Sequence, residues 1–195
     1  MEKANLLAIF IAVMITNNVI LSQFLGLCAY FGVSDSLRSA FSMGITVTFV
    51  IVIASAVSWF LDYYLLIPYH MEFLKTIVFI LVIATLVQLI EMFIAKNIPL
   101  LQRMLGIYLP LVTTNCAVLG ITLVNSNEGF NFIESLVNGL GAGLGYMLAI
   151  CLMAGIRGRL MFAKVPRAMQ GMPINFLIGA MMALAFFGFQ GFLIK

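Results

Sequence analysis

The sequence predicts an all-α integral membrane protein with six transmembrane helices. Three observations carry that prediction. Of the 195 residues, 64% are hydrophobic and only 9% are charged, against about a quarter charged in soluble globular domains. The charges are clustered, so that residues 4–34, 39–61, 76–90, 104–127, 135–156 and 168–194 contain no Asp, Glu, Lys or Arg. All but one of these runs exceed the roughly 18–20 residues that cross a hydrocarbon core about 30 Å thick. No strand-like alternation of apolar and polar residues occurs, which excludes the pattern of a membrane β-barrel.

The elements follow in order. Span 1 covers about 5–30; the run is too long for a cleavable signal peptide and lacks a small-x-small site after a basic start, so it is expected to stay. Span 2 covers about 40–62. The run 76–90 is short alone and becomes a span, about 73–95, if Glu91 is tolerated near its end. Spans 4, 5 and 6 follow at about 101–124, 132–155 and 171–193. The longest loop, 156–170 (IRGRLMFAKVPRAMQ), is expected as a short basic helix on the inner membrane surface, or else as a docking place for a cytoplasmic partner. No soluble domain fits, so residues 1–195 form one membrane domain with halves at about 1–97 and 98–195. Three spans per half is an odd number, so the second half enters the membrane from the opposite side. Similar halves are then two inverted repeats. Span 1 (ITNNVILSQFLGLCA, 15–29) and span 4 (LPLVTTNCAVLGI, 109–121) each carry a polar cluster and a Cys, a short match between the halves.

Orientation follows from Lys and Arg. Loops 31–39, 96–100 and 156–170 share one side with Arg38, Lys96, Arg103, Arg157, Arg159, Lys164 and Arg167. The other side holds the termini and loops 63–72 and 125–131, with Lys3, Lys75 and Lys195. Positive residues stay in the cytoplasm, so both termini are expected outside, with Trp59, Tyr63, Tyr64 and Tyr69 as an interfacial belt. The net charge of +3 is accounted for by these anchors, and nucleic acid is not an expected partner.

The chemistry sits in the polar interruptions. Asn17, Asn18, Ser22 and Gln23 lie in span 1, and Thr113, Thr114 and Asn115 lie in span 4. In lipid such groups need protein, water or freed backbone as partners. Pro110 removes a helix hydrogen bond and favours a break in span 4. Two readings stay open: polar glue between helices, or discontinuous half-helices in spans 1 and 4 around a central site. Of three cysteines, Cys151 (in AICLMAG) reads as a small hydrophobe, while Cys28 and Cys116 occupy the unusual segments. A closed zinc site within the chain is excluded by ligand count, His70 being the sole His and far from either Cys. A straight span 1 would carry Cys28 about 34 Å along its axis from Asn5 to the inner face, while Cys116 lies about 20 Å from that face. The two meet only if span 1 is interrupted, with Asn17 and Asn18 as the expected break. NGLGAGLGY (138–146) reads as close helix packing and not as a nucleotide loop, because no strand precedes it. Glu91, in VQLIEMF, is the one acid inside a span; it either pairs with Lys96 or belongs to an ion path.

These residues carry a family resemblance. NNVILSQFLGLC (17–28), VQLIEM (87–92), the run from Leu101 to Pro110, LPLVTTNCAVLG (109–120) and AGIRGRL (154–160) resemble the paired six-span subunits of the Rnf and Na⁺-translocating NADH:quinone reductase complexes. The resemblance covers essentially the whole chain. Asn17–Asn18 is nearer the Rnf branch, and Ala29 departs from the Pro that often follows the first Cys. The resemblance implies a subunit of an ion-translocating ferredoxin:NAD⁺ oxidoreductase in the bacterial inner membrane. It implies an inverted pair with a paralogous six-span subunit, the Rnf E-like partner, beside other subunits carrying Fe–S clusters and flavins. By match, Cys28 and Cys116 are two ligands of a [2Fe–2S] cluster whose other two come from that partner. Electrons pass from cytoplasmic iron–sulfur proteins towards flavin on the outer side, ferredoxin and NAD acting indirectly, coupled to Na⁺ or H⁺ movement. Asn17, Asn18, Thr113, Thr114, Asn115 and Glu91 then surround the cluster or line the ion path. Two other classes compete: an inverted-repeat transporter or channel with incidental cysteines, and a scaffold that only positions flavin subunits.

Overall fold

The structure is a computed structural model that describes residues 10–66, 74–97, 111, 115–162, 164, 166 and 169–193. Among the described residues the secondary structure is helical. Among these residues a π-helical turn, Ala12–Thr16, comes first and is followed by α1 (Leu27–Gly32) and α2 (Leu37–Leu61). A second π-helical turn, Asp62–Leu66, extends α2. Then come α3 (Lys75–Asn97), α4 (Cys116–Asn127), α5 (Phe132–Leu160) and α6 (Met172–Leu193). Among the described residues two stretches, Leu37–Tyr64 and Phe132–Leu160, are long and apolar enough to cross a bilayer.

The helix ends follow local chemistry. Helix α2 starts before the expected residue 40 because Ser36, in extended backbone, caps it; its hydroxyl accepts from the Ser39 N–H at 3.2 Å. At the start of α5, the Glu134 carboxylate accepts from the Asn131 N–H at 2.9 Å. This helix runs past the expected residue 155 to Leu160, with Arg157 and Arg159 in its last turn, where cations complement the helix dipole.

Helices α2 and α5 form the centre and pack most extensively on each other. Their seam is made by NGLGAGLGY, whose glycines present two faces. Gly139 and Gly143 abut α2: a Cβ at Gly139 would lie 2.8 Å from Ser55 Oγ, and one at Gly143 would lie 2.8 Å from Thr48 Cα. Gly141 and Gly145 take the N-terminal segment, where a Cβ would lie 3.1 Å from the Phe10 carbonyl oxygen and 2.9 Å from that of Met14. Each pair is a GxxxG repeat, and small residues let backbones approach where lipid supplies no hydrophobic drive between helices. Fully buried Met43, Val47, Ile51, Tyr146, Ile150 and Met153 fill the interface. The outlying helices α3 and α6 expose Leu81, Phe93, Leu184 and Phe187, an apolar surface suited to lipid or other membrane subunits.

One consequence is measurable. Gly143→Ala drives a methyl into backbone that cannot swing aside, an overpacking cost of about 1–3 kcal/mol. It is expected to lower the temperature at which the chain loses its assembly in detergent. Gly155→Ala, with nothing within 4 Å of its Cβ position, is expected to change little; equal behaviour of the two variants contradicts the seam.

The two ends of the bundle carry different contacts. Arg157 reaches residues 31–35 at one end. At the other, Trp59 Nε1 donates to the Phe130 carbonyl at 3.0 Å, and Lys75 approaches Asp62 at 3.9 Å. Trp59, Phe60, Tyr63, Tyr64 and Phe132 form one aromatic cluster there. Tyr69 lies outside the described residues.

Candidate functional site

Both unusual segments depart from helix. The first break begins at Asn17, whose φ of −101° and ψ of 44° end the π-helical turn. The backbone then turns through residues 17–26 before α1 begins. Phe24 (φ 57°) and Gly26 (φ 83°) are both left-handed; Gly26 adopts this at little cost because it has no Cβ. The second break ends at Asn115, extended at φ −74° and ψ 111°, after which α4 begins at Cys116. Leu111 is helical, and 112–114 between them are outside the described residues.

The asparagines satisfy the groups that the breaks release. The buried Asn18 carboxamide donates to the Gly145 carbonyl at 2.7 Å, and its oxygen accepts from the Ile20 N–H at 3.2 Å. Asn115 accepts from the Ala117 N–H at 3.1 Å through its side chain, and donates to the Tyr146 hydroxyl at 3.4 Å. Successive residues of α5, Gly145 and Tyr146, thus fasten the first and the second break. Tyr146 is fully buried.

The breaks also touch each other. The Gly26 N–H donates to Cys116 Sγ at 2.9 Å, across ninety residues of chain. Cys28 is the second residue of α1 and Cys116 the first of α4, so each thiol sits at the positive end of a helix. The far end of α1 is held by Arg157, whose guanidinium donates to the Phe31 carbonyl at 3.0 Å and to Ser34 Oγ at 2.7 Å and pairs with Asp35. Cys28 therefore rides on a short helix anchored at both ends.

The three thiols differ in setting. Cys28 is exposed and Cys116 half-buried, and none of the three is in a disulfide. Cys151 lines an apolar groove with Met14, Met147 and Leu148. Among the described residues no three His, Cys, Asp or Glu gather in one place, so a metal held by Cys28 and Cys116 needs further ligands. The donor set fits a cluster otherwise: soft sulfurs, helix N-termini and a backbone N–H aimed at one sulfur.

Of the other candidate residues, Asn17 is exposed at the first break. Glu91 falls within α3, though its side chain is outside the described set, as are Thr113 and Thr114 entirely. Gly26, Gly145, Tyr146 and Arg157 emerge as site residues from the structure. Of these, the sequence signalled only Gly145, through the glycine pattern of 138–146; the Gly inside FLGLC is the signal that could have marked Gly26.

Residues 6–193 match the family described as Rnf-Nqr subunit, membrane protein. The relatives are A subunits of ion-translocating complexes. For the Na⁺-translocating ferredoxin:NAD⁺ oxidoreductase complex of Acetobacterium woodii, identity is 51% over 186 residues, 95% of this chain and 97% of the relative. For the ion-translocating oxidoreductase complex of Syntrophotalea carbinolica, it is 50% over 187 residues, covering 96% and 97% of the two chains. For the proton-translocating ferredoxin:NAD⁺ oxidoreductase complex of Clostridium ljungdahlii, it is 46% over 188 residues, again 96% and 97%.

Proposed function

The chain belongs to the Rnf-Nqr family of membrane subunits, and on that premise we propose that it relays electrons at Cys28 and Cys116 within an ion-translocating ferredoxin:NAD⁺ oxidoreductase complex. The observation that carries this reading is the hydrogen bond from Gly26 N–H to Cys116 Sγ. It joins the two breaks and brings the segment of Cys28 to that of Cys116. A [2Fe–2S] cluster held by the two thiolates would accept and pass on single electrons.

The chain's own residues prepare that place. Asn18 and Asn115 satisfy broken backbone, which in lipid would otherwise cost several kcal/mol per orphaned group. Tyr146 and Gly145 fix the breaks against α5. The Gly26 N–H directs its positive dipole end at the Cys116 sulfur. The exposed Cys28 leaves one side open to a second protein of the complex. In this reading the chain forms six spans as two inverted repeats, with both termini outside the bacterial inner membrane. A six-span paralogue supplies two more thiolates.

The reading is tested by iron and acid-labile sulfide in this chain purified with and without its six-span paralogue. The expected result is two irons and two sulfides per pair and none in the separate chain. A separate chain that retains stoichiometric iron, or a metal-free pair in an otherwise active complex, contradicts it.

A further inference from the structure

A second polar site lies at the end of the bundle opposite Arg157. Between α2, α4 and α5 is a cavity of about 170 Å³ lined by Ser58, Asp62, Thr122, Asn125, Ser126 and Ser135, among others. Water takes about 30 Å³ per molecule, so the space suits a small ion with a few waters. Beneath it, Asn125 donates to Ser135 Oγ at 2.9 Å and to Ser55 Oγ at 3.3 Å, and it accepts from Asn138. All four of these side chains are buried.

Three hydroxyls of the wall have their protons engaged elsewhere. The Ser58 hydroxyl donates to the Ser55 carbonyl at 3.1 Å, the Thr122 hydroxyl to the Leu119 carbonyl at 2.8 Å, and the Ser126 hydroxyl to the Asp62 carboxylate. A hydroxyl whose proton is engaged presents only lone pairs elsewhere. The Trp59 N–H is likewise engaged, by the Phe130 carbonyl, and the Asn125 amide protons are engaged by Ser55 and Ser135. The carboxylate of Asp62 adds negative charge, partly balanced by Lys75 at 3.9 Å. Oxygen acceptors around one carboxylate are the surroundings that a hard cation seeks. A single carboxylate shared with a lysine suits one positive charge and not two.

We infer that this cavity binds a monovalent cation of the sodium class, with Asp62, Ser58, Thr122 and Ser126 as its oxygen donors and the Lys75 ammonium as its competitor. The site is separate from the cysteines. It lies along α4 from them, Thr122 being about 9 Å and Ser126 about 15 Å of helix rise beyond Cys116.

The test is sodium binding to the purified complex, titrated as sodium chloride against choline chloride at constant ionic strength. Thr122→Val and Ser126→Ala, which remove an oxygen while nearly keeping shape, are expected to weaken one saturable sodium site at least tenfold. Lys75→Gln, which frees Asp62, is expected to tighten the same site. Iron content and the cluster signal are expected to be unchanged in all three, so failure here is distinct from failure of the cysteine assignment. Sodium isotherms identical to wild type across the variants mean that the cavity holds only water, and overturn the proposal. If Thr122→Val or Ser126→Ala does not assemble, Lys75→Gln decides: unchanged or weaker sodium binding overturns it.

Discussion

Cys28→Ser and Cys116→Ser are each expected to reduce ferredoxin-driven NAD⁺ reduction by the assembled complex by roughly 100-fold or more. Loss of supporting groups around a metal alone costs about 10–100-fold, and a direct thiolate matters more. A serine oxygen is a harder and less readily ionised donor than sulfur, and iron–sulfur clusters are held by thiolates. Cys151→Ser is expected to stay near wild type. Its thiol lines an apolar groove and shares neither break. Steady-state NAD⁺ reduction in membranes, measured beside ion uptake, checks the prediction. If the Cys28 and Cys116 variants assemble and keep wild-type rates, the cysteines are incidental. A Cys-free chain that still moved ions would restore the transporter reading of the polar segments.

Gly26→Ala is expected to have the next largest effect. The φ of 83° at this position costs a non-glycine residue about 1–2 kcal/mol. The new methyl would also lie 3.0 Å from Tyr146 Cε2, 3.2 Å from Asn115 Oδ1 and 3.3 Å from Ala117 Cβ. Buried rings and a capping side chain give way poorly, adding about 1–3 kcal/mol. Relief requires Gly26 to move, which lengthens its N–H bond to Cys116 Sγ. An N–H aimed at sulfur stabilises the more negative, reduced state. Its loss is therefore expected to shift the cluster's reduction potential to more negative values in whatever complex assembles. Gly129→Ala is the control: its φ is 64°, but nothing lies within 4 Å. It carries the backbone cost without crowding, so its potential is expected to match wild type. A Gly26→Ala complex of normal yield and unchanged potential would show that the contact between the breaks is inconsequential.

Much of this architecture is legible in the sequence alone. Charge-free runs are a one-dimensional signal, and α2, α3, α5 and α6 lie where those runs do. The break at Asn17 is readable because two adjacent carboxamides in a lipid-length apolar run need a reason, and an unpaired backbone provides one. The dense glycines at 138–146 announce close packing for the same kind of reason: nothing else in an apolar helix requires them.

The fastening of the site is not legible there. The bonds Asn18–Gly145, Gly26–Cys116, Asn115–Tyr146 and Arg157–Phe31 join residues 31 to 127 positions apart. Periodicity carries no information about such pairs. In the sequence Arg157 reads as a topological anchor, since its charge is equally suited to lipid headgroups. Only the fold shows it gripping the end of the helix that bears Cys28. Asn125 falls in an expected loop, yet it is buried at the centre of a hydrogen-bond network within α4. Polar residues near a span's end read as surface unless a neighbouring helix supplies the partner.

The measurement that bears most directly on the shared-cluster reading is EPR of the dithionite-reduced pair, this chain with its six-span paralogue, in wild type and in the three cysteine variants. The prediction is one S = 1/2 signal of a reduced [2Fe–2S] cluster in wild type and in Cys151→Ser, absent from both Cys28→Ser and Cys116→Ser. The same spectrum in all four samples, with the pair still assembled, would contradict it.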